Sequence, residues 1–161
     1  MTNGLSPAQL WRVADELEIR SLAEQYASAV DALDSDAFMS VFDEAASLVV
    51  LPRPGADPSS AYRGHAELAV IIDKIKVYAR TFHFVGNHTV RIDRPQASGQ
   101  VYCLAHHLTV GRDGATDFVM LIRYEDTYAL TDRWRITQRR VVTEWTEDRV
   151  TGVAPPVTDR T

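Results

Sequence analysis

The sequence predicts an α+β domain in which N-terminal helices cover a curved antiparallel sheet and close a pocket between them. Three observations carry this. Apolar residues recur at helical spacing in the first part of the chain. From Thr81 onward the period changes to two. Tight turn signals, rather than helical crossovers, then separate the long alternating runs.

The first helix has a clear start, because Ser6, Pro7 and Gln9 fit the N-cap, N1 and N3 positions of a capping box. A longer helical stretch runs from about Val13 to Leu33, with Leu22, Tyr26, Ala29, Val30 and Leu33 on one face. Asp34-Ser35-Asp36 breaks it and caps a short helix through about Phe42. Ser47–Leu51 is rich in β-formers, and Pro52–Ser60, with three prolines and a glycine, is a loop. A third helix follows Gly64, with Leu68, Ile71, Ile72 and Ile75 as its buried stripe.

Four strands are expected near Thr81–Asp93, Gly99–Val110, Asp117–Leu130 and Trp134–Trp145. Arg94-Pro95-Gln96, Gly111-Arg112-Asp113-Gly114 and Thr131-Asp132-Arg133 mark the turns between them. Strands of about 11 residues exceed the usual 5–6. In a small domain they must twist and curl, which creates a concave face for the helices to cover and a ligand to occupy.

The chain has 161 residues, 45% of them hydrophobic, which suits one domain with a sizeable core. We read residues 1–161 as that domain, with the core over about 7–150 and a frayed tail at 151–161. A net charge of -5 argues against a nucleic-acid partner. The basic residues Arg133, Arg135, Arg139 and Arg140 recur in strand-like alternation rather than as a patch. No apolar run is long enough to span a bilayer, and the first residues lack a signal-peptide pattern, so the expected location is cytoplasmic, away from membranes. The single cysteine, Cys103, permits no internal disulfide.

The residues able to do chemistry lie on the helix before Leu33 and on the strands. Alternation puts His83, Val85 and Asn87 on one face of their strand, and Phe84, Gly86 and His88 on the other. In the next strand Tyr102, Leu104 and His106 share a face, opposite Cys103, Ala105 and His107. In the last, Arg139, Val141 and Thr143 share one. A histidine that moves protons needs a partner to fix its tautomer. Asp31, within a stretch otherwise apolar or small, is the candidate, because a carboxylate there faces a pocket more readily than a dry core. Tyr26 and Asp31 lie roughly 140° apart around the helix, so they flank a pocket rather than stack.

The helix Leu22–Asp31, the string Phe82-His83-Phe84-Val85-Gly86-Asn87-His88, the segment Val101–Leu108 and the run Ile122–Trp145, which contains Trp134-Arg135-Ile136 and Arg139-Arg140, together resemble the SnoaL-like branch of the nuclear transport factor two-like superfamily. The resemblance implies an α+β cone-shaped barrel of a curved mixed or antiparallel sheet, covered by the N-terminal helices and enclosing a deep pocket. Scytalone dehydratase, bile acid 7α-dehydratase and hexachlorocyclohexane dehydrochlorinase of this superfamily use an Asp–His pair for elimination. By resemblance that pair is Asp31 and His83. The 7α-dehydratase has a tyrosine where Tyr26 stands, the dehydrochlorinase has an arginine where Arg139 stands, and His106 matches a pocket histidine of scytalone dehydratase.

The resemblance therefore implies a cofactor-independent lyase of the dehydratase type, acting on an apolar alicyclic or aromatic molecule such as a steroid or polyketide. Asp31, His83 and Tyr26 are the expected catalytic residues. Arg139, His106, Tyr102, Leu104, Val85, Asn87, Met120 and Val141 are expected to contact substrate. The spacing shows no metal-binding motif and no glycine-rich phosphate loop, so neither metal nor cofactor is expected. Relatives associate as dimers or trimers, which implies a homo-oligomer. Because the superfamily also holds isomerases, cyclases and non-catalytic binding proteins, those readings stay open. His88 and His107, on the faces opposite the proposed pocket, read as packing or interface groups. His65, at a helix start, reads as exposed, and Cys103 reads as a buried small residue off the pocket face.

Overall fold

The computed structural model describes residues 4–111 and 114–151. The helix α1 spans Pro7–Ala32, α2 Ser35–Ser40 and α3 Gly64–Ile75; the strands are β1 Phe42–Leu51, β2 Ser60–Arg63, β3 Arg80–Asp93, β4 Gln96–Gly111, β5 Gly114–Leu130 and β6 Trp134–Thr151. The six strands form one sheet in the order β2-β1-β6-β5-β4-β3. All neighbours are antiparallel except β1 and β6, which run parallel. The sheet is mixed and curved but open, with β2 and β3 as its edges, so the expected barrel is not closed. The helices lie on its inner face.

The capping box forms as the sequence requires. Gln9 N–H donates to Ser6 Oγ at 3.3 Å, and Ser6 N–H donates to Gln9 Oε1 at 2.8 Å. No glycine or proline follows until the helix ends, so the start and the longer stretch are one 26-residue helix. Asp34 caps α2 through Ala37 N–H at 2.9 Å, but α2 stops at Ser40. β1 then begins at Phe42, five residues before the expected strand, and the unpredicted β2 pairs with it at the end of the proline-rich loop. The turn at 112–113 and the expected tail beyond Thr151 lie outside the described residues.

One buried network sets the helix on the sheet. Asp15 is buried on α1, and Arg94 grips its carboxylate with two hydrogen bonds of 2.6 Å. Trp134 Nε1 donates to the same carboxylate at 2.9 Å, and Trp134 N–H donates to Glu18 Oε1 at 2.9 Å. The start of α1 is thereby fixed to the β3–β4 turn and the start of β6. The helix runs antiparallel to β3 from there, and its last turn arrives over the beginning of β3. Ile19, Leu22, Ala23, Tyr26 and Val30 fill the space between helix and sheet.

Two strand irregularities decide which side chains point inward. Between Gly86 and Thr89 the β3–β4 register shifts, with Asn87 at φ 48°. Asparagine tolerates this left-handed conformation better than most residues, and the extra residue is a bulge. Between Thr127 and Tyr128 the β5–β6 register also shifts, which sets Arg139 opposite Asp126.

Candidate functional site

Asp31 and His83 meet where the last turn of α1 crosses β3. His83 Nδ1 lies 2.7 Å from Asp31 Oδ1, His83 N–H donates to Asp31 Oδ2 at 2.8 Å, and Thr81 Oγ1 donates to Asp31 Oδ1 at 2.9 Å. A carboxylate in the last turn of a helix faces the negative end of the dipole, so helix formation does not favour it there. The three strand donors supply what the helix does not. Burial opposes ionisation of Asp31, but the His83 ring, the His83 N–H, and Thr81 outweigh it and hold its pKa below the ordinary carboxylate value. An ionised carboxylate only accepts, so the ring proton of neutral His83 sits on Nδ1 and Nε2 keeps its lone pair.

His107 completes this corner. Its ring stands edge-on to His83 with centroids 5.6 Å apart, and Tyr78 packs against its other side at 4.8 Å. Its Nδ1–H donates to the Phe118 carbonyl at 3.2 Å. Burial, and then the neighbouring His83, push the His107 pKa down, which favours its neutral form. In their neutral forms the two imidazoles each leave Nε2 bare, and one of them is backed by a carboxylate.

The β3–β4 register corrects the expected faces. His83 pairs with Ala105, and Thr81 with His107, so Val101, Cys103, Ala105 and His107 share the inner face with His83. Tyr102, Leu104 and His106 point to the outer face. His106 hydrogen-bonds Asp117 at 2.7 Å there, away from Asp31. Asn87 is exposed on the bulge, and the same bulge turns His88 inward, 3.4 Å from the Tyr128 hydroxyl. Asn87, Tyr102 and Leu104 do line a cavity, of about 410 Å³, but it is on the outer face with Phe84 and Trp145. Phe82 likewise points outward, 60% exposed. Cys103, read as off the pocket face, lies on the inner face, and burial pushes its thiol up to about 11, which leaves it a packing group. His65 is half-buried rather than exposed.

Tyr26 and Arg139 are on the inner side but sealed. Arg139 is wholly buried, its guanidinium lying 4.2 Å from the Tyr26 ring centroid and 4.3 Å from that of Tyr124. Nε and Nη2 bond Asp126 at 2.9 and 2.7 Å, and Tyr128 donates to the same carboxylate at 3.0 Å. Burial works against the charge on Arg139, but Asp126 more than restores it, and the arginine stays protonated. Burial pushes the Tyr26 phenol up to about 12. Val85, Met120 and Val141 stand on the inner face and pack on the core. Among the described residues, no three His, Cys, Asp or Glu side chains converge as a metal site would need.

The SnoaL-like domain pattern matches residues 11–140, most of the chain. The chain belongs to the SnoaL-like family. An uncharacterised protein of Mycobacterium tuberculosis, Rv2910c, is 30% identical over 128 residues, 79% of this chain and 84% of its own length. A hexachlorocyclohexane dehydrochlorinase, LinA type 2, superposes with a TM-score of 0.76 at 18% identity, over 91% of this chain and 97% of its own. A putative scytalone dehydratase from Novosphingobium aromaticivorans gives 0.74 at 18% identity, over 93% and 97%. The architecture is a cystatin-like fold, shared with a nuclear transport factor two-like protein from Novosphingobium aromaticivorans at a TM-score of 0.69 and 22% identity, over 89% of this chain and 92% of its own. The sequence reading gives Asp126 and Thr81 no part in the site and takes His107 as a packing or interface group. Asp126 could have been found as the acid across the last hairpin from Arg139, and His107 by asking which face of β4 carries residues as small as Cys103 and Ala105.

Proposed function

We propose that this SnoaL-like protein is a cofactor-independent lyase of the dehydratase type whose proton-transfer group is His83. The observation that carries this reading is the Asp31–His83 pair, joined at 2.7 Å with the imidazole Nε2 left free. His83 Nε2 takes a proton from carbon beside a carbonyl. The electron pair of that C–H bond forms the new double bond as the bond to a hydroxyl breaks. The imidazolium, stabilised by Asp31, returns its proton to the departing hydroxyl, which leaves as water. His107, with its own Nε2 lone pair, receives a hydrogen bond from a substrate hydroxyl. Val85, Met120 and Phe118 give the site apolar walls, which suits a largely apolar alicyclic or aromatic substrate, such as a steroid or polyketide. Tyr26 and Arg139 support the site from within the core instead of touching substrate.

The test is incubation with alicyclic and aromatic β-hydroxy ketones in deuterated water, read by product mass. Loss of water, with no deuterium entering the carbon skeleton of the product, is the expected result. Turnover falls about 10²–10⁴-fold in His83→Ala and in Asp31→Asn. Unchanged turnover in either variant would sink the mechanism. Deuterium uptake without loss of water would make the protein an isomerase or cyclase using the same base.

A further inference from the structure

Thr81 stands two residues before His83 on β3, so alternation puts both side chains on the inner face. It is buried and pairs with His107 across β4. Its Oγ1 donates to Asp31 Oδ1 at 2.9 Å, and His83 Nδ1 lies 2.7 Å from that same oxygen. The other oxygen, Oδ2, accepts the His83 N–H at 2.8 Å. An ionised carboxylate only accepts, so the threonine hydroxyl must donate. Among the described residues, Thr81 makes no other side-chain hydrogen bond.

Two donors on one oxygen have a chemical consequence. When His83 takes a second proton on Nε2, its Nδ1–H becomes more acidic, and Oδ1 is the base that it faces. If that proton crossed, Asp31 would be neutral and could no longer balance a charged ring. A hydroxyl bonds an ionised oxygen roughly twice as strongly as a neutral one. The Thr81 bond is therefore worth most while Asp31 stays a carboxylate, and it opposes the transfer. It also fixes the carboxylate plane, because three donors from β3 then hold two oxygens. Burial works against the charge on Asp31, and the His83 ring, the His83 N–H and Thr81 together overcome it.

The second histidine–carboxylate contact of the sheet lacks this feature. His106 Nδ1 lies 2.7 Å from Asp117 Oδ2 on the outer face, the same separation as in the inner pair. Among the described residues no hydroxyl shares that oxygen, and Asp117 Oδ1 is buried without a partner. The hydroxyl therefore belongs to one pair and not to such pairs in general.

We infer that Thr81 is a positioning residue, which keeps Asp31 ionised and aimed at Nδ1 through the step in which His83 gains its second proton. This role rests on the proposed chemistry of His83, but Thr81 acts only through Asp31 and touches no substrate.

Carbon-13 NMR of the Asp31 carboxyl carbon, followed on the full chain as pH is lowered, tests it. In Thr81→Val, which keeps the β-branched shape without the hydroxyl, the carboxyl should take up its proton at higher pH than in the wild type. Thr81→Ser should restore the wild-type curve. Turnover of the β-hydroxy ketones by Thr81→Val should fall roughly 3- to 10-fold in kcat, the worth of one hydrogen bond, with KM unchanged and Thr81→Ser again restoring it. The His106 ring signals should stay in place in both variants. Thr81→Ala repeats the comparison if the valine variant fails to fold. A carboxyl curve unmoved by loss of the hydroxyl, an unchanged kcat, or equal losses in Thr81→Ser and Thr81→Val would overturn the role. If His83→Ala leaves turnover intact, the elimination falls, and the carboxyl curve alone judges Thr81, for it needs no substrate.

Discussion

Two acid–base pairs stand on the inner face of the same sheet, and they are built for opposite ends. Arg139 and Asp126 are both sealed from solvent, with the guanidinium packed against two tyrosine rings and the carboxylate holding three hydrogen bonds. Asp31 and His83 make an equally short contact, but the carboxylate is about a quarter exposed and the imidazole keeps one nitrogen unengaged. The first pair has its charges matched inside the core. The second has a lone pair left over. Among the described residues Arg139 Nη1 also lacks a hydrogen-bond partner, but a guanidinium N–H is a donor and not a base. Chemistry needs a free base, so distance alone does not separate a working pair from a structural one, and the lone pair on His83 Nε2 does.

The largest effect should come from breaking the sealed pair. Asp126→Ala leaves the guanidinium buried without its counter-charge and should cost about 3–5 kcal/mol, read as a fall in melting temperature on the order of 10 °C. Asp31→Asn should cost less, about 1–2 kcal/mol by chemical denaturation, because its site is partly solvated and Thr81 still has an oxygen to bond. A result in the reverse order would mean that the Asp31–His83 pair is the architectural one.

Acid should separate them further. His88 and His107 both have pKa values pushed below the ordinary histidine value, chiefly by burial. The unfolded chain therefore binds their protons more readily than the folded one. Their contribution is fully present above about pH 6.5 and is lost as pH falls through the lower folded values. Asp31, with its pKa depressed, contributes above about pH 4 and loses that contribution only at more acidic pH. Denaturation midpoints across this range should fall in two separate stages. His107→Phe should shrink the upper stage and leave the lower one in place.

The smallest expected effect is that of Asn87→Gly, at the bulge that turns His88 inward. Asn87→Gly should change stability by less than about 1 kcal/mol, since glycine adopts φ 48° freely. Asn87→Val should cost about 1–3 kcal/mol, because a β-branched residue is strained there. Equal effects from the two would mean that the left-handed turn, and with it the inward face of His88, is not held in solution.

These features also mark how far the sequence could be read. Helix α1 was legible from its capping box and apolar stripe, and β3 to β6 from their period of two and their turns. Asp31 stood out as a carboxylate in an apolar stretch, and the resemblance supplied its partner. Alternation shows which residues share a face but not which face is inward. For that reason Tyr102, Leu104 and His106 were placed beside His83, although the pairing of His83 with Ala105 puts them behind it. Each bulge then shifts the alternation by one, which moved Asn87 out and His88 in. Tyr26 and Arg139 were found as inner residues, but their burial depends on Asp126 and Tyr124 arriving from a strand whose register the sequence does not show.

The central claim is that Asp31 fixes His83 with its proton on Nδ1 and a free base at Nε2. Side-chain ¹⁵N NMR on the protein at neutral pH tests it most directly. The account predicts that the neutral His83 ring carries its proton on Nδ1 and leaves Nε2 bare, and that Asp31→Asn disturbs this tautomer while Tyr102→Ser does not. A His83 ring with its proton on Nε2 in the wild type, or one indifferent to Asp31→Asn, would contradict it.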